Sequence, residues 1–282
     1  MKRRQISIAS LGIVLAITAS GCTVNPSSAT APHATQTPDD SAPTRTVVVI
    51  GDSIPFNSPD DCPGCVGFVE SYAEALSDSS DEIYTAVNRS RHDGARVSDV
   101  LDEVESGSLD EALSNADVII VSVGYNDQPP YGDGSCYDEA IDLDTVKGAA
   151  EALSATTADC IGTQTATAAA NLADLLGGVR GLAPDASIRA LTAYNAWTGW
   201  PDFEALGAET AGSASRTVAA GLLAWRTVVC HEAEKVGGDC VDLLTAFNGT
   251  DGLTPSGDLL AEDYTHPSQK GNELIRDLLL QR

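Results

Sequence analysis

Four polar segments contain residue types that can do chemistry, and three of them stand at the end of a predicted strand. In chain order they are Gly51-Asp52-Ser53, residues 88–94, Gly124-Tyr125-Asn126-Asp127 and Asp263-Tyr264-Thr265-His266. The last segment precedes the final predicted helix. In open α/β sheets, ligands bind beyond the C-terminal ends of the strands. The order therefore predicts that a serine, several amide donors and an Asp/His pair meet at one edge of a sheet.

The serine and the Asp/His pair are the types needed for nucleophilic catalysis. A serine hydroxyl is a poor nucleophile without an adjacent base, and His266 is the histidine best placed to serve Ser53. Asp263, three residues earlier, can orient the imidazole and stabilise its charged form. The predicted catalytic residues are therefore Ser53, His266 and Asp263.

The other histidines are weaker candidates for the base. His33 lies in a polar N-terminal segment, and His231 lies inside a predicted helix. His92 is a rival base, although no carboxylate stands at the same spacing from it in a comparable context.

Together and in this order, the four segments resemble the SGNH subgroup of the GDSL hydrolases. The blocks of that family are a GDS serine, a glycine after the second strand, a G-x-N-D segment and a D-x-x-H segment. Here the resemblance runs from Gly51 to His266. It implies that the oxyanion of the tetrahedral intermediate accepts hydrogen bonds from the backbone N–H groups of Ser53 and Gly94 and from the side-chain amide of Asn126.

The resemblance implies a serine esterase that forms and hydrolyses an acyl-enzyme, with no cofactor and no metal. The expected substrates are carboxylic esters, whether short acyl esters, lipids or acetylated carbohydrates, and the segments do not separate these classes. The G-x-S-x-G elbow of ordinary α/β-hydrolases does not fit, because Pro55 occupies the position of its second glycine. The acidic residues have no EF-hand spacing, so a solvated acidic surface explains them better than calcium.

A second hypothesis is a non-catalytic surface-binding lipoprotein on a degenerate hydrolase scaffold. Such a protein would carry no reactive serine. Drift would usually erase at least one member of the site, yet all of these are intact: Ser53, Asn126, Asp263 and His266.

Strands and helices alternate along the chain after residue 45. Unbroken apolar runs such as Val47–Ile50 are typical of strands buried on both faces. This alternation predicts the α/β class, as a three-layer α/β/α sandwich with a mainly parallel, flavodoxin-like sheet. The predicted strands lie at 47–50, 83–88, 117–123, 187–192 and 240–243, and the predicted helices at 67–76, 97–104, 208–235 and 271–280, with a helix-rich stretch over 139–181 and a loop at 128–137.

Composition and charge exclude several classes of protein. The 282 residues are 43% hydrophobic, which supplies a core and excludes a wholly disordered chain. The formal net charge of -25 repels phosphate backbones, so nucleic acid is not an expected partner. Residues 1–45 hold four basic and two acidic side chains, which leaves 12 basic and 39 acidic ones, a charge of -27, in residues 46–282. This acidity favours neutral or cationic ester substrates over phosphorylated ones.

The N-terminal residues carry signals for export. Basic residues precede a short apolar run over 6–19, and Ala19-Ser20-Gly21-Cys22 resembles a bacterial lipobox. We predict a lipoprotein signal peptide at 1–21, a lipidated Cys22 that begins a disordered Thr/Ser/Pro tether at 22–45, and a hydrolase domain at 46–282. The domain would be held on the outer face of the cell membrane by the lipid. The alternative is an ordinary cleaved signal peptide and a secreted protein.

The remaining six cysteines agree with export. An even number in an exported chain predicts three disulfides, and the shortest loops favour the pairs 62–65, 136–160 and 230–240. A zinc site would need a second close Cys or His pair, and thioredoxin-like chemistry would need the C-x-x-C at a helix start after a strand. The predicted disulfide cysteines are Cys62, Cys65, Cys136, Cys160, Cys230 and Cys240.

Overall fold

Five parallel strands form the central sheet. A computed structural model of the chain describes residues 42–132, 136–138, 140–143 and 145–281, so the predicted signal peptide, Cys22 and most of the tether lie outside the described residues. The order across the sheet is β2-β1-β3-β4-β5, and all four neighbouring pairs are parallel. This is the flavodoxin-like order, so the predicted fold class is confirmed. The strands are β1 (Thr44–Gly51), β2 (Ile83–Asn88), β3 (Val118–Ser122), β4 (Ser187–Leu191) and β5 (Asp239–Val241).

Helices cover both faces of the sheet. Among the described residues, no helix is long and apolar enough to cross a membrane. The helices are α1 (Ser53–Phe56), α2 (Phe68–Asp78), α3 (Val97–Glu105), α4 (Asp110–Ser114), α5 (Val146–Ala155), α6 (Ala158–Leu182), α7 (Pro201–Glu204), α8 (Ala208–Lys235), α9 (Leu243–Asn248) and α10 (Gln269–Leu280).

Strand β1 shows why an unbroken apolar run belongs in this sheet. Val48 and Ile50 pack with residues of α3, α6 and α8 on one face, whereas Val47 and Val49 pack with residues of α2, α9 and α10 on the other. All four side chains are fully buried. Successive side chains of a strand point to opposite faces, so a strand covered on both sides must be apolar at every position.

The end of β1 turns sharply beside β3. A Cβ atom at Gly51 would lie 1.9 Å from the carbonyl oxygen of Ser122, so glycine is required for this approach of the two backbones. The N–H group of Asp52 donates to the same oxygen at 3.1 Å. Because β1 lies between β2 and β3, Ser53 sits at the carboxyl edge of the sheet, next to the ends of both neighbours.

The six cysteines among the described residues form three disulfides. The bond between residues 62 and 65 closes the loop after α1, and the bond between residues 230 and 240 joins α8 to β5. The third bond, between residues 136 and 160, ties the segment before α5 to the first turn of α6. These are the pairs favoured by short loops: Cys62–Cys65, Cys136–Cys160 and Cys230–Cys240.

The structure differs from the predicted elements in several places. The last predicted strand is too long, because β5 ends at Val241 and Leu243 starts α9. Asp242 caps that helix by accepting the N–H group of Thr245 at 3.0 Å. The helix-rich stretch over 139–181 contains two helices, separated where Thr157 caps the start of α6. The short helices α1, α4 and α7 were not predicted, since so few residues carry no readable periodicity.

Candidate active site

Ser53 is the first residue of α1, directly after β1. The carboxylate of Asp52 accepts the N–H group of Ile54 at 3.0 Å and so caps this short helix. From the end of β2, Nδ2 of Asn88 donates to the carbonyl oxygen of Pro55 at 2.6 Å. Ser53 therefore lies on a short helix that is hydrogen-bonded to the end of β2.

Asp52 itself is a buried carboxyl group, only 1% exposed. Burial raises the pKa of Asp52 to about 7, although the N–H groups of Ile54 and Tyr125 donate to its carboxylate and oppose that rise. The side chain forms the turn before Ser53 and does not reach the surface.

The three predicted catalytic side chains lie in one hydrogen-bonded chain. Nε2 of His266 is 3.0 Å from Oγ of Ser53, and Nδ1 of the same ring is 2.5 Å from Oδ2 of Asp263. The His266 side chain is 14% exposed and that of Asp263 is 34% exposed. This arrangement lets the imidazole take a proton from the serine at one nitrogen while the carboxylate fixes the other.

The D-x-x-H spacing has a local physical cause. Oδ1 of Asp263 accepts the backbone N–H groups of Thr265 and His266, each at 3.0 Å, and this leaves Oδ2 for the imidazole. Tyr194 holds the same turn from β4's side of the site by donating its hydroxyl to the carbonyl oxygen of Thr265 at 2.7 Å. The hydrogen bonds of Asp263 and Tyr194 to this turn thus orient the histidine.

The charges around the imidazole favour its protonated form. Burial by itself lowers the pKa of His266, but the hydrogen bond and charge of Asp263, together with the charges of Asp61 and Asp52, leave the pKa raised above its ordinary 6.5. Burial opposes ionisation of Asp263, yet the hydrogen bonds from the His266 ring and from two backbone N–H groups leave its pKa lowered. His266, supported by Asp263, is therefore a stronger base than an ordinary histidine.

The predicted oxyanion residues other than Ser53 face each other across the ends of β2 and β3. Gly94 has a φ of 74°, and a Cβ atom there would point at Oδ1 of Asn126, 4.0 Å away. Nδ2 of Asn126 donates to the carbonyl oxygen of Ala95 at 3.0 Å. One N–H bond of the amide is thereby used to orient the side chain, which leaves the second for a ligand.

Asp127, the neighbour of Asn126, supports α3. Its Oδ2 accepts the N–H group of Val97, the first residue of that helix, at 3.0 Å. Burial raises the pKa of Asp127 to about 6, against the opposing effects of that N–H group and of Arg96. The carboxylate joins the end of β3 to the segment that carries Gly94.

Sequence reasoning missed Asn272, which positions the loop before α10. The side chain is fully buried; its Oδ1 accepts the N–H group of Phe68 at 3.0 Å and its Nδ2 donates to Asn57 and to the carbonyl oxygen of Pro267, both at 3.3 Å. It thus connects the end of α1, the start of α2 and the residue after His266. A polar residue on the buried side of an amphipathic helix is the signal that marks it.

A second histidine and a third carboxylate also reach the imidazole. Oδ2 of Asp61 is 2.9 Å from Nε2 of His92 and 3.5 Å from Nε2 of His266. The His92 ring stacks on Phe56 with centroids 5.1 Å apart. His92 therefore contacts Asp61, whereas the histidine that contacts Ser53 is His266.

Asp61, Asp263 and His266 offer ligand atoms within 4.8 Å of one another, as the residues of a metal site would. The two carboxylates contact opposite nitrogens of one ring, Asp263 at Nδ1 and Asp61 at Nε2. Nε2 also contacts Ser53. An ion ligated at that nitrogen would displace the serine, so the arrangement fits hydrogen bonding better than metal binding.

Two clefts open beside these side chains. One, of about 820 Å³, is lined by five carboxylates together with Pro63 and Tyr264; the carboxylates belong to Asp60, Asp61, Asp258, Glu262 and Asp263. The other, of about 600 Å³, is lined by Gly94, Asn126 and Tyr131 among others. The predicted aspartate and the predicted amide donors are thus both accessible from outside.

Two weaker candidates from the sequence were His231 and His33. His231 lies on the exposed side of α8, where Nδ1 contacts Glu232 at 3.1 Å. Trp197 is 3% exposed and packs edge-on against Phe203. His33 lies outside the described residues.

Fold and site define a class of hydrolases with a parallel, flavodoxin-like sheet and a Ser-His-Asp chain at its carboxyl edge. Residues 49–274 match the GDSL-like lipase/acylhydrolase family, so the chain belongs to that family. It is therefore a carboxylic ester hydrolase, and the predicted family resemblance is confirmed. No curated protein sequence matches the chain significantly.

Solved structures show the same fold at low identity. A lipase from a goat rumen metagenome superimposes with a TM-score of 0.58 at 15% identity, covering 84% of this chain and 96% of the lipase. Phospholipase A1 from Streptomyces albidoflavus NA297 has a TM-score of 0.55 at 16% identity, covering 84% and 98% of the two chains. The extracellular lipase from Streptomyces rimosus has a TM-score of 0.55 at 16% identity, covering 84% and 99%.

Proposed function

We propose that the protein is a serine esterase in which Ser53 is the nucleophile, His266 the general base and Asp263 the residue that orients the base. The observation that carries this proposal is the unbroken chain of contacts, 3.0 Å from the serine oxygen to the imidazole and 2.5 Å from the imidazole to the carboxylate. The membership of the GDSL-like family supports it.

In the acylation step, Oγ of Ser53 attacks the ester carbonyl carbon and Nε2 of His266 takes the hydroxyl proton. Asp263 stabilises the imidazolium that results, because its carboxylate already contacts Nδ1. The tetrahedral intermediate then collapses, the ester C–O bond breaks, and Nε2 gives its proton to the leaving alkoxide. The products of this step are an alcohol and an acyl group bound to Ser53.

The backbone N–H groups of Ser53 and Gly94 and the side-chain amide of Asn126 would hold the oxyanion of that intermediate. Support comes from their places at the ends of β1, β2 and β3, which are adjacent in the sheet. In deacylation, His266 takes a proton from water, the hydroxide attacks the acyl carbon, and the serine leaves with the proton. No cofactor or metal takes part in either half.

The substrate class comprises carboxylic esters, and acyl length separates the candidates within it. Lipids, short acyl esters and acetylated carbohydrates all present the same carbonyl to Ser53. The five carboxylates in the larger cleft disfavour anionic leaving groups close to His266. We expect a neutral or cationic alcohol to be released.

The enzyme is proposed to act outside the cell as a lipoprotein. The basic residues, short apolar run and lipobox-like segment at 1–22 support a lipoprotein signal peptide at 1–21 with lipidation of Cys22. Three disulfides are typical of exported proteins and support the same location. Residues 22–45 would tether the hydrolase domain at 46–282 to the membrane.

The test compares the wild-type protein with Ser53→Ala on a series of aryl esters of increasing acyl length, together with acetylated sugars. We expect Ser53→Ala to lose on the order of 10⁴-fold or more in turnover while keeping its unfolding midpoint. A fluorophosphonate probe should label the wild-type protein at Ser53 and leave the variant unlabelled. Full activity in Ser53→Ala would overturn the proposal, and an unlabelled wild-type protein would favour a non-catalytic binding function.

A further inference from the structure

The nitrogen of His266 that faces the serine has a second acidic neighbour. Nε2 lies 3.0 Å from Oγ of Ser53 and 3.5 Å from Oδ2 of Asp61. Asp61 comes from the loop after α1, whereas Asp263 approaches the opposite nitrogen from within its own turn. The imidazole is therefore flanked by carboxylates on both sides.

Asp61 is held in place by its own loop. The carbonyl oxygen of Ser58 accepts the N–H groups of Asp61 and Cys62, each at 3.1 Å. The disulfide from Cys62 to Cys65 closes the chain directly after it. The Asp61 side chain is only 17% exposed, so it is a fixed neighbour of the imidazole and not a mobile surface group.

Asp61 is shared between two histidines. Its Oδ2 is 2.9 Å from Nε2 of His92, and the rings of His92 and His266 are 6.5 Å apart. His92 is held from its other side by stacking on Phe56. A hydrogen bond from His92 draws the carboxylate away from His266.

We propose that Asp61 is a positioning residue for the reaction: its carboxylate stabilises His266 when Nε2 carries the proton, and His92 limits that effect by competing for the same oxygen. This inference rests on the proposed role of His266 as the base. Stabilising the protonated ring helps the serine to lose its proton. It also makes the free enzyme easier to inactivate with acid, because a protonated ring cannot accept the serine proton.

The charged groups that face His266 come from four segments. They are Asp263 in its own turn, Asp52 at the end of β1, Asp61 in the loop after α1 and His92 after β2. Changing Asp61 alone leaves Asp52 and Asp263 in place, so any difference between the variant and the wild type reports Asp61. The matched control is Asp60, an exposed carboxylate of the same loop that bonds Ser58 only through its backbone N–H group.

The first measurement follows the ring nitrogens of ¹⁵N-histidine-labelled protein by NMR as pH is varied, with His266 assigned from a His266→Gln variant. We expect Asp61→Asn to lower the pKa of His266 by about one unit, His92→Phe to raise it by a smaller amount, and Asp60→Asn to leave it unchanged. His92→Phe keeps an aromatic ring against Phe56, and the NMR spectrum shows directly whether each variant is folded.

The second measurement is the pH profile of kcat/KM, whose acid limb reports the base of the free enzyme. The limb should move to lower pH in Asp61→Asn and return towards the wild-type position in Asp61→Glu. A uniform loss of activity in Asp61→Asn at every pH, with no movement of the His266 titration, would overturn the inference, as would an equal shift in Asp60→Asn. The NMR titration needs no turnover, so it tests Asp61 even where the proposed esterase activity fails.

Discussion

The hydroxyl of Ser53 lies 3.0 Å from Nε2 of His266, although 213 positions separate the two residues in the chain. Ser53 follows β1 and His266 precedes α10, so no local spacing brings them together. Asn272 fixes the relation, because its amide connects the residues that end α1 with those that start α10. The reactive pair depends on how the last helix packs against the first half of the sheet.

The pH dependence of activity should follow His266. Its pKa is raised above 6.5, chiefly by Asp263 acting against the effect of burial, and only the neutral ring can take the serine proton. Activity should therefore be lost as pH falls through a value above 6.5. A profile of kcat/KM against pH with a neutral aryl ester measures this limb.

Asp263→Asn should lower kcat by about 10⁴-fold, because the amide can hold the imidazole in the wrong tautomer. It should also move the acid limb to lower pH, since the largest favourable charge next to the ring is gone. Glu262→Gln, in the same turn, is the control and should keep the acid limb at the wild-type pH. An acid limb that stays at the wild-type pH in Asp263→Asn would contradict the assignment.

Asn126→Ala should lower kcat by about 10²–10³-fold with little change in KM, because the amide is expected to bind the oxyanion more strongly than the ground-state carbonyl. The variant also loses the hydrogen bond from Nδ2 to Ala95, which costs about 1 kcal/mol of folding stability. Asn115→Ala provides the matched control, since Nδ2 of Asn115 donates to a carbonyl oxygen at the exposed end of α4. A rise in KM with an unchanged kcat would show that Asn126 stabilises the bound substrate and the transition state equally.

Asp52 should make the protein less stable as pH rises from about 4 to about 7. Its pKa is raised from 3.8 to about 7 in the folded state by burial. Over that window the folded protein keeps the proton and the unfolded chain releases it, so stability is fully present below pH 4 and falls towards pH 7. The linked change is about 4 kcal/mol.

Urea unfolding of the wild type and Asp52→Asn at pH 4 and pH 7 measures this effect. The amide cannot ionise, so the free energy of unfolding of Asp52→Asn should fall less over the window than that of the wild type. Asp185→Asn, at an exposed position before β4, should behave like the wild type. An equal change in the free energy of unfolding between pH 4 and pH 7 in the wild type and in Asp52→Asn would mean that Asp52 stays ionised in the folded protein.

The disulfide between Cys136 and Cys160 should stabilise the fold by about 3 kcal/mol, because its bond closes a loop with a sequence separation of 24 residues. The bond between Cys62 and Cys65, with a separation of 3 residues, should contribute less, about 2 kcal/mol. Double alanine variants at each pair, compared by urea unfolding, give the two values. Equal losses of stability in the two double variants would show that loop length does not determine how much each disulfide stabilises this protein.

Much of the fold could be read from apolar patterning. The strand at Ile83–Asn88 and the helix at Ala208–Lys235 have the predicted bounds. The pattern of apolar residues changes abruptly at the ends of each. The boundary at Leu243 could not be read, since Leu243 continues the apolar run of β5 while Asp242 caps a helix through a side-chain contact. Side-chain caps of this kind leave only a weak trace in a sequence.

The candidate site was predictable where chemistry requires particular residue types. Ser53, Gly94, Asn126, Asp263 and His266 stand in four segments whose order and types resemble a known family. No motif of this kind identifies Asp61. It is one of 41 acidic residues, and its neighbour Cys62 indicates a disulfide instead of a site.

The sequence by itself determined the class of sheet and supplied the candidate side chains for the reaction, because these follow from local patterning and from the residue types that the chemistry needs. Only the tertiary structure decided which histidine meets Ser53 and which carboxylates surround it. His92 and His266 both lie near Asp61, and the packing of α10 gives the serine contact to His266. Contacts of this kind join residues far apart in the chain, and their distances depend on how the helices pack on the sheet.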